Sequence, residues 1–68
     1  MDNSVERERI REMIRQQEDQ LARVVSFIRD GQRSGRISDE SAELLVGLAE
    51  HEHAGRVRLL RDLLDEGQ

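Results

Sequence analysis

The residues with the most chemistry in this chain lie in one short run, Glu50-His51-Glu52-His53. Glu50 and His53 are three residues apart, the helical spacing that turns a carboxylate and an imidazole to one side. Carboxylate-bridged di-iron sites in helical bundles use such a Glu-x-x-His element with a glutamate from a facing helix. The carboxylates neutralise and bridge two divalent ions, and imidazole completes each coordination sphere. Glu18 is the candidate for the facing glutamate. One chain carries a single Glu-x-x-His, so a complete site needs two chains. Little other chemistry is available. There is no Cys, which excludes disulfides, thiolate catalysis and Cys-based metal sites. All 11 basic residues are Arg, which excludes Schiff-base and P-loop lysine chemistry. None of the five Ser stands near His51 or His53 in a pattern resembling a triad. His51 is expected to face outward.

These residues must be positioned by helices. The chain has no Pro to interrupt one. Apolar residues recur at Ile10, Ile14, Leu21, Val24 and Ile28, with gaps of three, four and seven. After the glycine-bearing stretch Gly31–Gly35 the pattern resumes through Ala42, Leu45, Val46, Ala49, Val57, Leu60, Leu63 and Leu64. The spacing predicts helices over 4–30 and 39–66, joined by a loop short enough to make them antiparallel. Asn3 is placed to cap the first helix, and Gly31 to end it in the left-handed conformation. Ser38 is placed to cap the second, with Ile37 and Ala42 at the two positions of a hydrophobic staple. Gly67 is expected to close it. The expected fold class is therefore all-α, a single helical-hairpin domain over 1–68.

Both apolar stripes are broken by polar residues near their middles. The first runs Ile10, Ile14, Gln17, Leu21, Val24, Ile28; the second runs Val46, Ala49, His53, Val57, Leu60. A loop centred near Gly35 sets Gln17 and Glu18 level with Glu52 and His53. The coincidence leaves two readings open. One is a buried polar layer, with Arg56 close by, that fixes register and oligomer state. The other is a metal site with Glu18, Glu50 and His53 as ligands. A hairpin of this size also buries little by itself. Phe27, Leu44, Leu48 and Leu59 fall off the main stripes and form a second apolar face. The expectation is a homodimer, or a multiple of one, forming an antiparallel four-helix bundle.

Glu18, Glu50 and His53 on a two-helix chain, with the run Glu52-His53-Ala54, resemble the encapsulated ferritins. These are half-length ferritin-like proteins that pair to rebuild a di-iron site. The resemblance spans roughly residues 14–65 in outline and implies iron as cofactor and a ferroxidase activity. The chain departs from that family in having no aromatic residue near the site and in having Asp19 and Gln20 beside Glu18. The hairpin architecture is also similar to the Rop-like helical-hairpin dimers, which prompts a nucleic-acid reading of the arginines at the end away from the loop. Acidic residues alternate with those arginines, the usual mark of a solvated, salt-bridged face. The net charge is −4 and Phe27 is the one aromatic residue, which suits neither phosphate binding nor base stacking. No apolar run is long enough to cross a membrane. The composition points to a cytoplasmic protein that is not an enzyme and that works with a protein partner as adaptor, regulator or assembly component. A ferritin-like di-iron protein is the alternative.

Overall fold

A computed structural model describes residues 4–66, which form two helices, α1 (Ser4–Arg33) and α2 (Asp39–Glu66). They pack as an antiparallel hairpin, all-α, whose Cα trace spans 54 × 15 × 8 Å. Among the described residues no helix is long and apolar enough to cross a membrane. The caps expected at Asn3 and Gly67 lie outside the described residues.

The second helix begins as its sequence dictates. The Ser41 backbone N–H donates to Ser38 Oγ at 3.1 Å, and the Ala42 N–H donates to the Ser38 carbonyl at 2.9 Å. The side-chain bond satisfies one of the four donors that every helix start leaves unpaired. Asp39 and Glu40 follow in the first turn, where the helix dipole favours negative charge.

The end of α1 differs from expectation. The helix runs through Gly31 to Arg33, and Gly35, with φ of 82°, takes the left-handed position. Gly31 has a different role. Its carbonyl accepts the Ile37 N–H and the Ser34 hydroxyl, each at 3.0 Å, so the loop folds back onto it. A Cβ at Gly31 would stand 2.6 Å from Ile37 Cδ1. The glycine is needed for close approach rather than for φ.

That fold-back completes the tightest part of the core. Ile28, Ala42 and Val46 are buried together, with Val25 and Ile37 packed against them. Ile37 and Ala42 thus form the expected staple. Val57 is buried further along the seam. At the open end, Arg7 Nη1 donates to the Leu64 carbonyl at 3.1 Å. The last turn of α2 has no basic residue of its own, so α1 supplies the cation that its free carbonyls favour.

Candidate functional site

The two flanks of the hairpin differ in chemistry. On one flank Arg29 Nη1 meets Glu43 Oε1 across the helices at 2.8 Å and Gln32 Oε1 at 2.9 Å, while Gln32 Nε2 donates to Asp39 at 3.0 Å. This is the charged face. Glu18 lies three helical turns before Arg29, and Glu50 two turns after Glu43, so both carboxylates belong to it and are exposed.

The opposite flank opens as a shallow cleft of about 170 Å³. From α1 it is lined by Gln17, Gln20, Leu21 and Val24; from α2, by Ala49, Glu52, His53 and Arg56. Apolar residues lie on both sides of it along the same flank. Towards the loop come Val24, Phe27, Leu45 and Leu48; towards the open end come Met13, Leu59 and Leu63. All seven are exposed, including Phe27 at 71%, Leu48 at 61% and Leu59 at 67%. This face therefore reads apolar, polar, apolar from end to end.

Leu44 sits elsewhere. It is two residues from both Ala42 and Val46, which are buried, so it points to the far side of α2. Leu45 and Leu63, which the sequence pattern places in the seam, stand on the apolar face at 42% and 51% exposure.

Comparison with family models, curated proteins and solved structures found no match.

One sequence expectation changes here, the placement of Glu18, and two others concern what a second chain would complete. The polar layer is not buried within one hairpin: among the described residues no polar or charged residue is buried, Gln17 and His53 are half-buried, and Arg56 is exposed. Two helices alone have nothing to lay over it. Gln17 meets Glu52 and His53 in the cleft as expected, but Glu18 turns to the other flank. Finally, no group of three or more His, Asp or Glu side chains among the described residues is gathered to hold a metal ion. Glu18, Glu50 and His53 are thus not gathered within one chain, and the expected site was one that a second chain completes.

His53 is the unusual residue. It lines the cleft and also a second depression, with Ala54, Val57, Arg58 and Arg61, on the other side of α2's seam. Its Nδ1 is buried with no hydrogen-bond partner. A buried, unpaired ring nitrogen costs free energy, of order 1–3 kcal/mol. Beside it, Arg56 Nη2 reaches Glu52 Oε2 at 3.4 Å. That pair is long and exposed, worth a few tenths of a kcal/mol at most. Neither polar group of the belt is well satisfied by its own chain.

Three arginines of α1 pair within the helix. Arg11 pairs with Glu8 at 2.6 Å, Arg15 with Glu12 at 3.1 Å, and Arg33 with Asp30. Each acid stands one turn before its base, the spacing at which helix neighbours meet.

Proposed function

We propose that this chain is a non-enzymatic, self-associating helical hairpin whose role is carried by protein–protein contacts, as an adaptor, regulator or assembly component. The observation that carries the reading is the mismatch between its buried and its exposed apolar groups. Four hydrophobic residues are buried among those described, and no large side chain is fully so. Nine large ones are exposed, and seven of them share one face. Scattered exposed leucines are ordinary on any protein, but a contiguous apolar face marks an interaction surface. The net charge of −4, with Arg11, Arg15 and Arg33 each paired to an acid one turn away, favours a protein over a nucleic acid.

The test is native mass at micromolar concentration for the wild type and for Phe27→Glu. The wild type is expected to be a dimer or a multiple of one. The variant should fall to monomer, because a carboxylate would be buried without a partner. A wild type that remains a folded monomer would remove the reading.

The di-iron alternative requires the opposite geometry. Glu18 and Glu50 from two chains meet only if the charged faces turn inward, which leaves the apolar faces exposed. Elemental analysis of untagged protein decides between them, since bound iron at one or more atoms per chain supports the ferritin-like reading.

A further inference from the structure

The α2 half of the apolar face has an internal symmetry that points to an occupant. On α2 it consists of Leu45, Leu48, Glu52, Arg56, Leu59 and Leu63, spaced by three or four residues so that they form one stripe. Reversed about Ala54, near the middle of α2, the stripe maps nearly onto itself. Leu45 exchanges with Leu63, and Glu52 exchanges with Arg56. Leu48 falls one residue from the place of Leu59, an offset that interdigitating side chains absorb. The charges do not merely coincide under this reversal; they change sign.

From this we infer that the occupant is a second copy of the chain, docked face to face with its α2 antiparallel to the first and the loops at opposite ends. The inference rests on the self-association proposed above and adds its orientation. A two-fold interface is isologous: where residue i meets residue j, j also meets i. The two-fold through Ala54 therefore sets Glu52 against Arg56 twice, flanked on each side by leucine against leucine. In the other face-to-face arrangement, with the loops together, α2 lies over the partner's α1. Glu52 and Arg56 would then face the level of Gln16, Gln17 and Gln20, and the charge complement would go unused.

Area supports a second copy as well. A face 54 Å long and 15 Å across offers about 800 Å², the share each partner contributes to a standard stable interface. Docking would also cover the cleft at His53, turning the half-buried polar belt into the buried layer that the two interrupted stripes anticipate.

Two measurements test the orientation. The first uses Arg36→Cys, in the exposed loop of a chain with no other Cys, carrying a spin label. Opposed loops place the labels about 50 Å apart at 1.5 Å per residue from Ala54. A separation below about 25 Å, the width of a bundle two helices across, would overturn the orientation. The second uses Glu52→Arg and Arg56→Glu. Each alone brings like charges together and should weaken dimerisation about ten-fold or more. An equimolar mixture should recover the dimer, because one chain then presents two arginines and the other two glutamates. Circular dichroism of each variant confirms that the exposed substitutions leave the helices formed. A mixture no better than either variant would overturn the inference while wild-type dimerisation upheld self-association. A wild type that never dimerises removes both.

Discussion

Four glycines of the described chain make separable predictions, because each would meet a different environment on substitution by alanine. Gly47 and Gly55 are interior to α2, with nothing within 4 Å of an added Cβ. There alanine only removes the unfavourable helix propensity of glycine, about 1 kcal/mol. For a domain this small that corresponds to roughly 4–8 °C in Tm. Gly31 is equally helical, so the same gain applies, but its new Cβ would lie 2.6 Å from Ile37 Cδ1 and 2.9 Å from Cγ1. Ile37 packs against the cluster of Ile28, Ala42 and Val46, which restricts how far it can swing aside. Overpacking of this kind costs about 1–3 kcal/mol. The net expectation for Gly31→Ala is a loss of about 1 kcal/mol, opposite in sign to Gly47→Ala.

The assay is thermal unfolding by circular dichroism at one fixed chain concentration, since dimerisation would itself move Tm. A double-mutant cycle isolates the cause. In the Ile37→Ala background both clashing atoms are gone, so Gly31→Ala should become stabilising there. Should Gly31→Ala raise Tm in the wild-type background as much as Gly47→Ala does, the close approach of Ile37 to α1 is wrong.

Other expectations are narrower. Gly35→Ala should cost about 1–2 kcal/mol although its surroundings are open, because φ of 82° strains any L side chain. Ser38→Ala should lose about 1 kcal/mol while Ser38→Asp retains most of it, read as urea midpoints; equal losses would dismiss the cap. Arg29→Ala should cost less than about 1 kcal/mol and the cost should shrink in high salt, as fits an exposed ion pair; a larger, salt-independent loss would mean the charged face is buried in the assembly. His53→Leu should leave Tm unchanged or raise it, because it removes the buried unpaired nitrogen. Zn²⁺ or Fe²⁺ should leave the Tm of the wild type unmoved. A metal-induced rise that His53→Leu abolishes would instead support the ferritin-like reading.

Much of the architecture is legible in the residues because local signals agree. The gaps of three and four, the absence of Pro, and Ser38 with its staple each specify the same hairpin, and α2 occupies the expected span. The end of α1 was not legible from Gly31 alone. Glycine is used both for positive φ and for close approach, and composition does not separate the two; the same loop holds a second glycine, Gly35. The flanks were harder still. A register argument equates heights along the hairpin and says nothing about rotation about each helix. Glu18 and Glu52 are nearly level, yet they stand on opposite flanks. The signal that separates them is present: Glu18 is in phase with Arg29, and Glu52 with Leu45, Leu48 and Leu59. It becomes usable only once the direction of the seam is fixed by Ile28, Ala42 and Val46.

The polar belt is the remaining physical question, since leucine at Glu52 and Arg56 would make a longer apolar stripe. Such a stripe would bind more strongly and specify less. Uniform leucine lets one helix slip along another by a turn, or lets the loops-together and loops-opposed arrangements compete at similar free energy. Under the proposed pairing a slipped register leaves Glu52 and Arg56 desolvated without their opposites, which costs more than the shifted leucines return. His53 adds to the same effect from within the chain. Its unpaired Nδ1 leaves a polar cost at the middle of the seam, where the proposed partner would cover the cleft. Under the proposed pairing, a protein with so small a core of its own would gain both stability and a defined geometry in one step.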